Sequence, residues 1–345
     1  MTPSTGGYIQ AALEQAPNAE TGANPVSSNL FYLPGTSIEF DPKMVPLEHN
    51  DELRGGFYAA PHDGAGEYAP EGSLEGRLYP ALAGLLLAAA CGSVTSTQGV
   101  AGPTVTDPDS VQIPVGAYRH VMAFKETEIP QTLQMIYAPP PGGFWKAQGV
   151  GIDELSFKAD NGAQTFTAKL LALIAARISD PTLTPSYEAV SAWRKGQMAL
   201  TWLAGSAITE DFDWSIKNGL KTESQFTTAS LYPDSIVYDN PLPVVGGSIP
   251  KRAFDDDDWN ALTAGTTFAA KIKLTHSTVV TGTYKHQIWV EMPACQYVTG
   301  KQDPVKNERR TKATFDWEAR YDVATSKTCT ITVVNATPKY DTYTS

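Results

Sequence analysis

The chain has 345 residues, a length that suits about two domains rather than one small core. Apolar residues make up 42% and charged residues 18%, which argues against a disordered chain, and 28 Gly with 25 Pro point to many turns and a β-rich protein. The formal charge of −11 disfavours tight binding to nucleic-acid phosphates.

In chain order, residues 1–30 are rich in Ala, Asn, Ser and Gly and read as an arm or linker. Leu30–Phe40 reads as strand, broken by a turn at Pro34-Gly35. Residues 41–71 read as a long polar loop, of a length that is usually functional or mobile. Leu74–Tyr79 reads as strand and leads into a helix, with Pro80 suited to the first helical position and Gly92 to the position just past the end. The residues between them are apolar on every side, so this helix needs cover all round, from its own sheet and a neighbouring subunit.

After a loop over 93–116, strands are predicted at Tyr118–Phe124 and Gln131–Tyr137. A hairpin follows: Leu155, Phe157 and Ala159 alternate with polar residues, Asp160-Asn161-Gly162 turns, and Thr165–Leu170 returns. The Pro-containing connector Asp180–Ser186 marks a boundary. Beyond it, strands are predicted at Met198–Leu203 and Asp211–Lys217, with Asn218-Gly219 as a second hairpin signal. A helix follows over 255–264, then strands at Phe268–Leu274 and Lys285–Val290, and a last hairpin from Phe315–Tyr321 and Thr328–Val333. The chain thus divides into an arm (1–30), a first domain (31–179), a linker (180–191), a second domain (192–337) and a tail (338–345).

One pattern occurs twice. Gly72-Ser73-Leu74-Glu75-Gly76-Arg77-Leu78-Tyr79 and Gly247-Ser248-Ile249-Pro250-Lys251-Arg252-Ala253-Phe254 share Gly-Ser-[Leu/Ile]-x-x-Arg-x-[Tyr/Phe] at a spacing of 175 residues (247 less 72). Each copy runs into a helical segment and sits in a similar order of strands. A tandem of two mainly β units, each with one helix, is the predicted α+β architecture.

Chemistry-bearing motifs are scarce. Cys91, Cys295 and Cys329 include no CxxC pair and read as buried free thiols of a reducing compartment. No signal peptide is visible, and the most apolar run, Leu82–Cys91, is too short to span a bilayer. Asp255–Asp258 reads as a helix N-terminus rather than a Ca²⁺ or Mg²⁺ site, because consecutive carboxylates do not converge. His49, His62, His120, His276 and His286 show no metal-ligand spacing and read as surface residues, although His276 and His286 flank a predicted hairpin and can approach each other. No catalytic motif, P-loop or dinucleotide fingerprint is present, so the expectation is a non-enzyme with no cofactor and no metal.

The stretch Glu71–Gly92 followed by Val94-Thr95-Ser96-Thr97, the N-terminal arm, the hairpin Ile152–Leu170 and the segment Asp211–Thr222 with Asn218-Gly219-Leu220 resemble the tail-tube proteins of long-tailed bacteriophages. The likeness runs over about residues 20–335 and rests on the order and spacing of motifs. It implies a tandem β-sandwich or barrel-like fold with one flanking helix per copy. Its subunits would close into rings, and the rings would stack into a tube through which DNA is ejected without specific binding. It further implies a virion tail location after assembly in the host cytoplasm, with tape-measure, tail-terminator and tail-tip proteins as partners. Family tubes are usually six-fold, so two folds per chain would let three chains close a pseudo-six-fold ring, against the alternative of six chains.

Candidate stacking residues are Glu48, Asp51, Arg54 and Tyr58 in the long loop, and candidate subunit-seam residues are Leu82, Leu85, Leu86, Trp259 and Leu262 on the two helices. The rival readings are a capsid decoration or cement protein, a glycan hydrolase on a β scaffold, and a host-binding tail fibre.

Overall fold

The computed structural model describes residues 8–14, 31–34, 37–41, 68–102, 104–124, 130–138, 143–159, 162–181, 184–203, 205–206, 211–223, 232–239, 243–251, 256–302 and 313–340. The protein is mainly β, with two short α-helices among these residues. The first half comprises β1 (Ile9–Leu13), β2 (Phe31–Tyr32), β3 (Ser37–Asp41), β4 (Glu71–Arg77), α1 (Pro80–Cys91), β5 (Gly92–Gln98), β6 (Tyr118–Phe124), β7 (Leu133–Tyr137), β8 (Phe144–Ala159), β9 (Gln164–Leu171) and β10 (Ile174–Ile178). The second comprises β11 (Met198–Trp202), β12 (Gly205–Ser206), β13 (Phe212–Lys217), β14 (Leu220–Glu223), β15 (Ser235–Tyr238), β16 (Val244–Lys251), α2 (Asp256–Ala264), β17 (Phe268–Thr281), β18 (Tyr284–Gln302), β19 (Ala313–Ala319) and β20 (Thr330–Asn335).

Strand pairing follows one wiring scheme in both halves, antiparallel throughout. In the first, β1 pairs with β2 and β7, β3 with β4, β4 with β9, and β8 with β7, β9 and β10. In the second, β11 pairs with β12 and β17, β13 with β16, β16 with β19, and β18 with β17, β19 and β20. Two irregularities recur as well, while the second half has further register shifts between Thr275 and Thr281 that the first lacks. A bulge between Leu133 and Met135, opposite Val150 and Ala147, matches one between Phe268 and Ala270, opposite Cys295 and Met292. A bulge between Ile152 and Glu154 matches one between Tyr297 and Thr299. A bulge bends its strand and raises the local twist. Each half therefore has one long strand, β8 or β18, that leaves one sheet and enters another past a bulge at the same place.

Two expected hairpins are replaced by longer-range pairing. At Asn218-Gly219 the chain does turn, with Gly219 at φ 61°, but β13 pairs with β8 and β16, while β14 pairs with β15 in a separate small sheet. The Asn218 side chain donates to Ala90 O (3.0 Å) and Ile152 O (2.8 Å), so the turn residues close a helix end instead of a hairpin. The last two strands, β19 and β20, do not pair with each other; they lie side by side along successive stretches of β18. Further strands stand where loop or arm was expected: β1 inside the arm, buried at all five positions, β5 after the helix, and the first part of β8.

Helix α1 matches its predicted limits. Pro80 occupies the first turn, and Gly92 closes the helix in the left-handed region at φ 82°, its N–H donating to Ala88 O. The expectation that a neighbouring subunit helps to cover it is answered within the chain: every residue from Leu82 to Cys91 is buried. Both ends are satisfied from far away in sequence. The Glu188 carboxylate accepts from Ala81 N–H at 3.0 and 3.1 Å, and burial pushes this carboxyl up to about 7 against the lowering effect of the Ala81 and Leu82 N–H groups. Asn218 serves the other end. Tyr340, in the C-terminal tail, is fully buried against the helix and donates to Ala81 O at 2.9 Å.

Tyr340 fits because position 84 is glycine: a Cβ there would lie 2.1 Å from the ring Cζ. Gly84→Ala is expected to lower stability by about 2 kcal/mol through overpacking, in spite of alanine's better helix propensity. In a Tyr340→Ala background the same substitution should be neutral or stabilising. Urea denaturation of the two single variants and the double variant measures this coupling.

Candidate assembly interface

Eight strands form a continuous antiparallel arc in the order β3, β4, β9, second part of β8, β13, β16, β19, second part of β18. At its centre, β8 pairs with β13 over six residues, from Phe212 opposite Ala159 to Lys217 opposite Glu154. This junction joins the two halves, and Phe157 stacks on Trp214 across it with ring centroids 4.4 Å apart.

The two faces of the arc differ as the period of two requires. One face carries Leu74, Leu155, Phe157, Phe166, Trp214, Ile249, Phe315 and Trp317, all buried in the core. The other is wet. Along it lie Ser37, Ser73, Ser156, Thr165, Thr167, Ser215, Ser248 and Thr314. The carboxylates of Glu39, Asp41, Glu71, Glu75, Glu154, Asp213, Asp316 and Glu318 outnumber the cations of Arg77, Lys158, Lys169, Lys217 and Lys301 on this face. Ser156, Lys158, Thr165, Thr167, Asp213 and Ser215 line a shallow hollow of about 280 Å³ at the central junction. Glu154 bridges two strands, 2.5 Å from Lys169 Nζ and 4.0 Å from Lys217 Nζ. Partial burial works to raise this carboxyl, and the two ammonium groups outweigh it and hold it below the usual range.

Both ends of the arc are open among the described residues. Strand β3 pairs with β4 alone. The second part of β18, from Gln296 to Gln302, pairs with β19 on one side, and its last partner on the other is Phe268, opposite Cys295.

The two helices lie behind the two corresponding places on the arc. α1 packs on β8, β5 and β6 and also touches β20 of the second half, so it fills the seam between the halves. Leu82, Leu85 and Leu86 are thus core residues of the single chain, with no surface to offer a neighbour. α2 packs on β18 next to the open end, and Trp259 and Leu262 are half-buried there. Trp259 meets Phe315 edge-on at 5.1 Å, and Leu262 leans over Gly300. The four loop candidates, Glu48, Asp51, Arg54 and Tyr58, lie outside the described residues.

The acidic run is a helix start, as expected, with Asp256, Asp257 and Asp258 in the first turn of α2. Asp258 has a second task that its sequence context does not reveal. It is buried, lies 2.6 Å from Lys251 Nζ, and accepts from Tyr297 OH at 2.8 Å, which in turn accepts from Trp202 Nε1 at 3.0 Å. The histidines correct the surface reading: His120, His276 and His286 are all buried. His276 and His286 do approach, with rings perpendicular and 6.0 Å apart. Among the described residues no group of three His, Cys, Asp or Glu side chains is placed to hold a metal ion, and the three cysteines are free and buried. No helix among them is long and apolar enough to cross a membrane.

Two predictions concern these buried polar groups. Asp258→Ala leaves Lys251 buried without its partner and should cost about 3 kcal/mol, whereas Lys251→Met with Asp258→Leu should recover most of it; denaturant titration reads both. Burial, with His276 beside it, depresses His286 from an unfolded value near 6.5 to about 4. The unfolded chain therefore takes up this proton first as pH falls. The resulting stability is fully present above about pH 6.5 and is lost as pH falls toward 4, and His286→Gln should flatten the pH dependence of urea midpoints in that window. No protein-family model matches this chain, and no curated protein matches it.

Proposed function

We propose that this chain is a structural subunit of a bacteriophage tail tube, built from two tube folds in tandem, three copies of which close a pseudo-six-fold ring. The observation that carries this reading is the recurrence of the wiring: the same strand pairings, with both bulges at matching places, appear twice around one continuous arc. The repeated Gly-Ser pattern falls on matching strands, β4 and β16, each followed by a helix.

The arc suits a tube wall. Its strands alternate in direction, so a first strand β3 and a last strand β18 can continue the same antiparallel order from chain to chain. Three arcs of eight make a barrel of 24 strands. At a spacing of about 4.8 Å and a tilt of about 40°, that closes at roughly 48 Å between facing backbones, leaving a bore of about 35 Å inside the side chains. Such a bore passes a DNA duplex. A wet face of small hydroxyl side chains, on which carboxylates outnumber cations, repels phosphates and gives DNA no place to bind, which is the condition for sliding. Tape-measure, terminator and tip proteins are the partners this role requires.

Negative-stain microscopy of the purified full-length protein is the test. Stacked rings or tubes with three chains per ring are the expected result. Isolated trimers that never stack would favour a capsid decoration protein, and six chains per ring would overturn the three-chain ring.

A further inference from the structure

We infer that residues 187–195, in the segment that joins the two halves, form a pH-operated latch that is tightest in mild acid: loss of a proton at Glu188 loosens it from the alkaline side, and gain of a proton at His276 loosens it from the acid side. The latch belongs to the single chain and is independent of how copies assemble.

Along this segment only Trp193 is buried, and the chain is held at three places. Glu188 accepts from Ala81 N–H at the start of α1, at 3.0 and 3.1 Å. Trp193 N–H donates to Leu78 O at 2.8 Å, and Trp193 O accepts from Gln164 N–H at 2.8 Å. At the third place the segment meets His276 of β17. The backbone of Ser191 and Ala192 is hydrogen-bonded to the imidazole, Ser191 Oγ lies 3.5 Å from Nε2, and Trp193 meets the ring edge-on at 5.0 Å. The seat is imperfect: Trp193 Nε1 and His286 Nδ1 are buried with no hydrogen-bond partner among the described residues. Orphaned buried polar groups weaken the hold of the closed state.

His276 is fully buried, and its neighbours fix its tautomer. Thr278 N–H donates to Nδ1 at 2.9 Å, so the ring proton sits on Nε2, toward the latch. A second proton has to go on Nδ1, where it confronts the Thr278 N–H, so charging the ring breaks that bond and turns the ring out of its seat. The titratable groups around the latch are Arg194 beside His276, His286 of β18 with its ring 6.0 Å away, Asp211 paired with Lys195 at 3.3 Å, and Tyr340 near Glu188. Arg194 and His286 both oppose an imidazolium at 276.

The two arms have opposite signs. Burial pushes Glu188 from an ordinary 4.5 up to about 7, so the closed latch holds this proton better than the open one does. Its contribution is full below about pH 4.5 and is lost as pH rises through 7. Burial, with Arg194, depresses His276 below its ordinary 6.5 and outweighs the Ser191 and Ala192 backbone. Its contribution is full above about pH 6.5 and is lost as pH falls. Only in between do both hold.

Amide hydrogen exchange of the full-length protein, with each rate divided by its intrinsic rate at that pH, tests the latch. Trp193 and Lys195 are the reporters, since their N–H groups are bonded to Leu78 O and Gly162 O. In the wild type their protection should pass through a maximum near pH 6 and fall by about threefold or more toward pH 8.5 and toward pH 4. In Glu188→Gln it should level off above pH 6.5. In His276→Asn, whose amide can still accept from Thr278 N–H, it should keep rising as pH falls to 4. Amides of β9 separate opening of the latch from global unfolding. Wild-type protection that changes in one direction only, a maximum that both variants retain, or β9 amides that follow the same course would overturn the latch. Should either variant fail to fold, the wild-type maximum and its confinement to the latch decide.

Discussion

A helix with no polar face can exist in water only if something covers every side of it, and α1 imposes that demand on the whole molecule. Its leucines each contribute about 1.5–3 kcal/mol by leaving water, but only if the backbone groups at its ends, which leave water with them, find partners. Those partners come from distant parts of the chain: Glu188 at the start, Asn218 at the end, and Tyr340 alongside, fitted against the bare backbone of Gly84. Glu188 follows the connector, Asn218 comes directly after β13, and Tyr340 lies beyond the last strand. The helix therefore belongs to both halves, and the two cannot be separated without opening its ends.

The long strands β8 and β18 solve the other problem, which is how one sheet becomes two. Each serves the arc with one part and an outer sheet with the other, and a bulge marks the change in both. Because side chains alternate, an extra residue also resets which face is dry. Leu155 and Phe157 can then point into the core beyond the bulge although Ile152 does so before it. An arc with one wet face and one dry face follows from that reset.

What the sequence discloses and what it hides divide along the line between local and distant interactions. The limits of α1 are local, since Pro80 and Gly92 act through their own backbone dihedrals, and both are read correctly. The hairpin of β8 and β9 is likewise written in its alternation and its Asp-Asn-Gly turn. Asn218-Gly219 carries the same turn chemistry, yet the chain turns there into a separate small sheet, because β13 finds better partners in β8 and β16. No local pattern encodes that choice. Alternation in β19 marks a half-wet strand, but β20 is buried on both faces from Ile331 to Asn335, and no local pattern shows that a 19-residue strand offers both of them a place. Asp258 and the buried histidines were hidden for the same reason: burial is decided by what packs on a residue, and Lys251, Tyr297 and Trp193 lie far from one another in the chain. The open edges of the arc are visible only once the pairing is known.

The two halves differ in the segment that follows the helix. The first half carries an excursion, β5 and β6, which reaches across to pair with β20. The loop before β6 adds Asp109, which lies 2.5 Å from both Lys271 and Lys273 and accepts from Trp289, while Asp107 accepts from Tyr284 OH at 2.6 Å. Burial opposes ionisation of Asp109, and the paired lysines and the indole N–H overcome it and hold the carboxyl far below its usual range. The second half has no matching excursion, since α2 runs almost directly into β17. The junction within the chain thus has strand pairing, a buried helix and a clasp.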